Sequence, residues 1–360
     1  MQRTLSLALV VLLLVAILMY AMFNFTRGAR VALEKKSTTN PSDSNQIILY
    51  TSIDEPIARK VIDAFEKQSG LSVRIVTDTE ATRSVGIAER LRAEKARPLA
   101  QVWWGNEVFN TVRLADEGFF EKLDLEGIDA IDPKFVDEEM RWAGVGLRVR
   151  VVARHKPEGV EFKLKPIHLS DFTQADFKGQ LVMARPTAGT TGSQVAALYA
   201  LWGEEKADAF FKALHANDVV LVGGNGVVVQ EVSANRFTWG LTDNDDISAM
   251  ISQGGTLMEL IPDQDPPEGE TETLGTLAIP TTVALVKRDE ITDSAKKLAA
   301  FLLSKETEQR LIDENFCRFS VRSSDSGIKT MKLDYAEVAK TMPQRIARAT
   351  ALLEGREPTE

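Results

Sequence analysis

The chain has 360 residues, of which 44% are hydrophobic and 26% charged, a composition typical of a globular protein with a large core. Its formal net charge of −9 argues against nucleic acid as a partner, because a protein that binds nucleic acid needs a basic surface to displace the counterions of the phosphates. Cys317 is the only cysteine, which excludes an intrachain disulfide and a cysteine-rich metal site. The three histidines are scattered without metal-ligand spacing.

The N-terminal segment is almost unbroken apolar sequence from Leu5 to Phe25 and follows Arg3. This is the layout of an export signal, and about twenty apolar residues also suffice to span a bilayer. Because no small-residue cleavage site follows, we favour an uncleaved signal anchor over a cleaved signal peptide in residues 1–26. Residues 27–45, rich in Ser, Thr, Asn and Lys, are expected to form a flexible tether.

From Gln46 onward, short apolar strands alternate with amphipathic helices, which predicts an α/β fold with parallel strands. Strands are predicted at 47–50, 71–75 and 100–104, and each ends in a polar segment. In open α/β sheets, ligands bind just outside the carboxyl ends of the strands. The polar residues that follow these strands are therefore expected to lie along one edge: Ser52, Asp54, Glu80, Thr82, Arg83, Asn106 and Glu107.

A long central strand is predicted over 142–152, with Arg148 and Arg150 on the same face. Alternating arginines on a strand are usually solvated. Two that point into one cleft would instead bind an anion or hold carboxylates.

Two further polar segments follow predicted strands. Residues 189–193 begin a helix, where Thr190 and Thr191 add hydroxyls to the free amides of the first turn. Such a helix N-terminus binds anions, although simple capping by Thr191 or Ser193 is an equal alternative. Asn225 lies in the glycine-rich segment 223–226, which lacks the Gly-Lys-Ser/Thr ending of a P-loop.

The most informative stretch is the apolar run 237–241, which ends in Thr242, Asp243, Asn244, Asp245 and Asp246. The run is short enough for a buried strand. Three carboxylates within four residues repel one another, so a cation, a basic ligand or water must relieve them. The alternative is a solvated helix N-cap. Because other strand-end loops are expected at the same edge, we favour a ligand-facing role.

The C-terminal part continues the α/β pattern. The acidic loop 262–273 is predicted to be exposed, and 277–286 is predicted to be a strand. Pro343 is expected to break or kink the last helical segment, or to open its second half. The remaining helices are predicted at 293–303, 304–315 and 334–353.

Six short segments occur in a fixed order within residues 46–325: Leu49-Tyr-Thr-Ser52, Asp78-Thr-Glu-Ala-Thr82, Val102-Trp-Trp-Gly-Asn-Glu107, Gly189-Thr-Thr191, Gly224-Asn225 and Gly240-Leu-Thr-Asp243. This ordered set resembles the extracellular solute-binding proteins of iron(III)-type ABC importers. The resemblance implies a type II periplasmic-binding-protein fold, in which two α/β lobes with mixed sheets enclose a central cleft. It assigns residues 46–148 and 284–360 to one lobe and residues 149–283 to the other.

The resemblance also implies metal ligands. In metal-binding members, a glutamate after the third strand and a pair of tyrosines after the late strand hold iron. The glutamate maps onto Glu107, whereas the tyrosine pair falls on Asp245 and Asp246, where this chain departs from the pattern. The oxygen-only set Glu107, Asp243, Asp245 and Asp246 suits a hard cation such as iron(III).

We therefore expect an extracytoplasmic solute-binding protein of an ABC importer that captures a metal ion or a metal–anion complex. The alternative is a binding protein for a small organic anion, such as a phosphonate or phosphorylated compound, held by the arginines, Thr190, Thr191 and Asn225. A metal-assisted hydrolase is disfavoured, because no nucleophile–base pair and no histidine occur in these loops. No catalytic cofactor is expected. A membrane-tethered sensory or structural module is the remaining possibility.

The expected partners are an ABC transporter permease, a small ligand or metal ion, and the membrane through the N-terminal segment. The expected state is a periplasmic or otherwise extracytoplasmic monomer, tethered to the inner membrane if the anchor is uncleaved. On this interpretation Asp243→Ala or Glu107→Ala weakens ligand binding and leaves the fold intact.

Overall fold

The structure is a computed structural model that describes residues 46–77, 85–155, 168–187, 189–323 and 327–358. The predicted signal segment, 1–26, and the predicted tether, 27–45, lie outside these residues, as do the predicted site residues Glu80, Thr82 and Arg83. Within the described ranges, no helix is long and apolar enough to cross a membrane. Residues 47–360 form one compact unit.

Ten strands lie within the described residues: β1 (Gln46–Thr51), β2 (Ser72–Thr77), β3 (Val102–Gly105), β4 (Phe120–Glu121), β5 (Ala143–His155), β6 (Leu181–Ala184), β7 (Val220–Val222), β8 (Trp239–Asp243), β9 (Leu257–Leu260) and β10 (Ala278–Val286). Nine α-helices are described with them: α1 (Glu55–Ser69), α2 (Val85–Ala93), α3 (Val108–Asp116), α4 (Gly189–Ala216), α5 (Asn225–Ser233), α6 (Asn244–Ser252), α7 (Asp293–Leu302), α8 (Lys305–Asp313) and α9 (Tyr335–Leu353).

The strands form a mixed sheet in the order β2-β1-β3-β10-β5-β8-β6-β7, with β4 beside β10 and β9 beside β5. β1 and β3 are parallel, as are β6, β7 and β8, whereas β5 and β10 run antiparallel to their neighbours. β5 joins the two halves of the sheet, since its residues up to Val149 pair with β10 and those from Arg150 pair with β8. Arg148 and Arg150 therefore lie where the chain passes from one half to the other.

Both faces of the sheet are covered by apolar side chains. In the first half, Trp104 packs into one core cluster and the adjacent Trp103 into another. In the second half, Met183 packs into one core cluster and the adjacent Val182 into another. Strands buried on two faces read as continuous apolar runs, which is why they were recognisable in the sequence.

Two details differ from the sequence predictions. Helix α9 runs unbroken through Pro343. A proline removes one backbone hydrogen bond, and the burial of Met342 and Leu352 on either side of it keeps the helix in place. The loop 262–273, predicted to be exposed, is exposed at 265–266 and 268–272, but its first residues, Pro262 and Asp263, are buried. Asp263 is only 4% exposed and accepts a hydrogen bond from the backbone amide of Leu169.

Candidate functional site

Polar residues from five strand-end loops line a small cavity of about 120 Å³. The loops follow β1, β3, β6, β7 and β8, so the cavity lies where those strands end. A larger open chamber of about 700 Å³ adjoins it and shares Asp54, Asp245 and Phe316 with it. The predicted site residues that line the small cavity are Asp54, Asn106, Arg148, Thr190, Thr191, Asn225, Asp243, Asp245 and Asp246.

Asp243 is the centre of a buried hydrogen-bond network and is 1% exposed. The pairing of β5 with β8 places Arg150 opposite Asp243, and Arg150 Nη1 donates to Asp243 Oδ1 at 2.8 Å. The other oxygen, Oδ2, accepts from Thr190 Oγ1 at 2.6 Å, Arg148 Nη1 at 3.2 Å and Asn225 Nδ2 at 3.2 Å. This carboxylate therefore joins β5, β8 and the first turns of α4 and α5.

Asp243, Asp245 and Asp246 form a three-carboxylate cluster, in which one oxygen from each residue lies within 4.8 Å of the others. Burial raises the pKa of Asp245 to about 6, with Arg148 opposing and the charge of Asp243 reinforcing the shift. Burial and the charges of Asp245 and Asp243 raise the pKa of Asp246 well above its usual value, although Thr242 Oγ1 donates to it at 3.0 Å. A bound cation would relieve this repulsion.

Arg148 is the cationic partner of this cluster. Its Nη1 donates to Asp245 Oδ2 at 3.0 Å as well as to Asp243, and its Nη2 donates to the carbonyl oxygen of Asn106. The guanidinium carbon lies 5.2 Å from the centre of the Phe316 ring. Although burial alone would lower the pKa of Arg148, the charges of Asp245 and Asp243 raise it above its usual range. The side chain thus links the loop after β3 to the loop after β8.

The first turns of two helices complete the cavity on the side of Thr190 and Asn225. Thr191 Oγ1 donates to Asn225 Oδ1 at 3.1 Å, and Asn225 Nδ2 donates to Thr190 Oγ1 at 2.9 Å. The backbone amides in the first turn of a helix have no helical acceptor, and the helix dipole is positive there. This side of the cavity therefore favours an anion.

Glu107, predicted as a metal ligand, caps helix α3. Its Oε2 accepts from the backbone amide of Phe109 at 2.8 Å, and its Oε1 accepts from that of Asn110 at 2.9 Å. Ser193 Oγ donates to Oε2 at 3.3 Å, and the residue is 1% exposed. Burial raises the pKa of Glu107, while the two helix amides oppose the shift. Because both oxygens serve the cap and Glu107 lies outside the three-carboxylate cluster, its role as a ligand stays a prediction.

The other predicted residues have supporting positions. Ser52 lines the larger chamber, and its hydroxyl accepts from the backbone amide of Asn106 at 2.9 Å, which ties the loop after β1 to the loop after β3. Arg150 and Thr242 line neither cavity. Both are buried and donate hydrogen bonds to the clustered aspartates, Arg150 to Asp243 and Thr242 to Asp246.

Two residues of the site were missed in the sequence. Gln194 Oε1 accepts from Arg150 Nε at 3.0 Å, and Phe316 lines both cavities. Gln194 could have been found, because it lies four residues after Thr190 on the same helix face. Phe316 follows helix α8 in a loop, and no local pattern marked it.

Tyrosine is not part of this site among the residues that the structure describes. The hydroxyl of Tyr50 donates to Glu94, and that of Tyr199 donates to Asp208. Tyr335 packs edge-on against Phe109. The oxygen donors around the small cavity are therefore carboxylates, hydroxyls and amides.

The family described as bacterial extracellular solute-binding protein matches residues 47–316 of this chain. The chain belongs to this family. The predicted family resemblance and the predicted extracytoplasmic location are thereby confirmed. Whether the solute-binding protein remains tethered through residues 1–26 stays a prediction.

Two of the similar proteins are named for different ligands. The major ferric iron-binding protein of Neisseria meningitidis serogroup B is 25% identical over 318 residues, covering 86% of this chain and 92% of the relative. A putative 2-aminoethylphosphonate-binding periplasmic protein of Salmonella paratyphi A is 24% identical over 303 residues, covering 79% of this chain and 84% of the relative.

The predicted fold class is confirmed by a solved structure. The apo ferric ion-binding protein A of Pasteurella haemolytica superimposes with a TM-score of 0.73 at 18% identity, covering 88% of this chain and 100% of the other. This solute-binding protein therefore has the predicted type II periplasmic-binding-protein fold. The boundaries predicted for the two lobes stay a prediction.

Proposed function

We propose that this solute-binding protein captures a hard metal ion, carried with an accompanying anion, and delivers it to the permease of an ABC importer. The observation that carries the proposal is the three-carboxylate cluster of Asp243, Asp245 and Asp246. Oxygen ligands suit hard cations. Burial first, and then the charges of the neighbouring aspartates, raise the pKa values of Asp245 and Asp246, and a cation would relieve the repulsion between these carboxylates.

The helix N-termini that line the cavity support the anion in this proposal. Thr190, Thr191 and Asn225 lie in the first turns of α4 and α5 and line the cavity together with Arg148. Thr190 and Asn225 also donate hydrogen bonds directly to Asp243. Amides at helix N-termini and an arginine fork are common ligands of oxyanions. A complex that carries both signs of charge would use both sides of the cavity.

Iron(III) is the first candidate cation, because the ferric iron-binding protein of N. meningitidis aligns with 86% of this chain. The described tyrosines lie away from the cavity, so we propose that carboxylate oxygens replace the phenolates that the resemblance led us to expect. Iron(III), manganese(II) and calcium(II) all accept such ligands.

Isothermal titration calorimetry tests the proposal. The purified protein is treated with a chelator and titrated with ferric citrate, Mn²⁺ and Ca²⁺, beside the variant Asp246→Asn. We expect one equivalent of a cation or its complex to bind, and at least about tenfold weaker binding by Asp246→Asn, because one ligand charge is lost. Absence of binding by every cation would contradict the proposal.

The second candidate function is the capture of a small organic anion such as a phosphonate. It is favoured by the two helix N-termini beside Arg148 and by the aminoethylphosphonate-binding relative. An aminophosphonate would place its acid group against the helices and its amine against the aspartates. Titration with 2-aminoethylphosphonate separates the two functions, since the second requires binding without any metal ion.

The remaining expectations depend on the same cleft. Membership in a solute-binding family favours binding over catalysis, and release of product from a phosphate ester by the purified protein would revive the metal-assisted hydrolase. We also propose that residues 46–148 with 284–360, and residues 149–283, form lobes that close around the ligand, and that the protein acts as a monomer. Scattering profiles with and without ligand test both statements.

A further inference from the structure

Arg148 is a cation that the protein itself supplies to the proposed metal ligands. One guanidinium nitrogen, Nη1, lies 3.0 Å from Asp245 Oδ2 and 3.2 Å from Asp243 Oδ2. Two of the three clustered carboxylates are therefore already paired with a positive charge. Of the cationic side chains described in the chain, only Arg150 also contacts this cluster, and it contacts Asp243 alone.

The guanidinium is held in this position by two further contacts and by burial. Nη2 donates to the carbonyl oxygen of Asn106, the Phe316 ring lies 5.2 Å from the guanidinium carbon, and only 3% of the residue is exposed. A side chain fixed in this way does not swing into water when another cation approaches. An incoming metal ion must therefore compete with Arg148 for the same oxygens and remain close to its charge.

We propose that Arg148 determines the charge selectivity of the cleft, by occupying Asp243 and Asp245 as an internal cation and so disfavouring bare metal ions. This inference rests on the proposed metal site and assigns a specificity-determining residue to it. A cargo that brings its own anion meets less repulsion, because that anion accepts hydrogen bonds from Arg148. A bare cation has no such compensation.

The inference predicts that removing an arginine from the site strengthens cation binding. In the purified, chelator-treated protein, Arg148→Gln is expected to bind Mn²⁺, supplied as the chloride in a non-coordinating buffer, at least about tenfold more tightly than wild type, or about 1.4 kcal/mol. Arg148→Lys keeps the charge and is expected to bind Mn²⁺ as weakly as wild type. Arg348→Gln removes an arginine–carboxylate pair with Asp208 outside the cleft and serves as the matched control.

A second readout distinguishes selectivity from a merely structural role. Without metal, Asp245 in Arg148→Gln has lost its cationic partner, so the increase of the thermal midpoint caused by Mn²⁺ is expected to be larger in this variant than in wild type. Adding Asp245→Asn to Arg148→Gln is expected to abolish the gain. If Arg148→Gln does not fold, Arg148→Met, which also lacks the charge, is judged by the same criteria.

The outcomes separate this inference from the proposed function. If wild type binds a cation or ferric citrate but Arg148→Gln binds Mn²⁺ equally or more weakly, the inference is wrong and the metal site stands. If wild type and both uncharged variants bind neither Mn²⁺ nor ferric citrate, the proposed function fails and this inference fails with it.

Discussion

Replacement of Asp243 by alanine tests whether the hydrogen bonds of this residue stabilise the folded protein. The substitution removes the acceptor of four hydrogen bonds, two of them from arginines. Arg148 keeps Asp245, but Arg150 is left in a buried position with only the neutral acceptors of Gln194, Thr190 and Asn225. Removing one partner of a buried ion pair costs roughly 3–5 kcal/mol, because the remaining charge is uncompensated. Contrary to the expectation drawn from the sequence, Asp243→Ala should therefore lower the free energy of unfolding by that amount.

The matched control is Asp246→Asn, three residues away. Asp246 accepts one hydrogen bond, from Thr242, and its charge is repelled by both neighbouring aspartates. Its substitution should therefore change the free energy of unfolding by less than about 1 kcal/mol. Urea unfolding of both variants can be followed by the fluorescence of the five tryptophans, among which Trp239 is buried in β8. The stabilising role of Asp243 would be excluded if the free energy of unfolding of Asp243→Ala were within 1 kcal/mol of wild type, or if Asp246→Asn lost more stability than Asp243→Ala.

Three further predictions concern the surroundings of the site. Glu107→Ala removes both cap hydrogen bonds of α3 and should lower the free energy of unfolding, measured in urea, by about 0.5–2 kcal/mol. It should reduce cation affinity less than Asp246→Asn does, and a larger loss of affinity would make Glu107 a ligand. Gly240→Ala would place its Cβ 2.5 Å from Val228 Cγ1, so overpacking should cost about 1–3 kcal/mol, and an unchanged thermal midpoint would contradict the tight contact of α5 with β8. Burial raises the pKa of Asp263 to about 6, above its value of about 3.9 in the unfolded chain. The protonated carboxyl therefore stabilises the folded protein fully below about pH 4, and this stabilisation is lost as the pH rises through 6. Asp263→Asn should flatten the pH dependence of unfolding in this window, and an identical pH profile for the two proteins would count against it.

The fold was predictable from the sequence because its strands are buried on both faces and its helices have clear ends. The run 181–184 is the strand β6, and Gly70 ends α1 in the left-handed conformation expected at a helix terminus. The break that was one of the expectations at Pro343 does not occur, because packing along the whole of α9 outweighs the loss of one backbone hydrogen bond.

The location of the site was predictable, but the pairing within it was not. The acidic turn after β8 is marked by its composition, and the loops after β1, β3, β6 and β7 do meet it around one cavity. Which aspartate pairs with the arginines depends on the antiparallel register that places Arg150 opposite Asp243, 93 residues away. The spacing of residues in the sequence does not predict which residues of β5 and β8 lie opposite each other. Asp243 occupies the N-cap position of α6 yet makes no capping bond with its side chain, because the two arginines hold it.

Calorimetric titration of the chelator-treated protein with ferric citrate, and separately with 2-aminoethylphosphonate, decides whether the cleft captures a metal complex. We expect that one equivalent of the metal complex binds, that binding depends on Asp246, and that the phosphonate without metal binds weakly or not at all. Tight binding of 2-aminoethylphosphonate with no binding of ferric citrate, Mn²⁺ or Ca²⁺ would contradict this expectation.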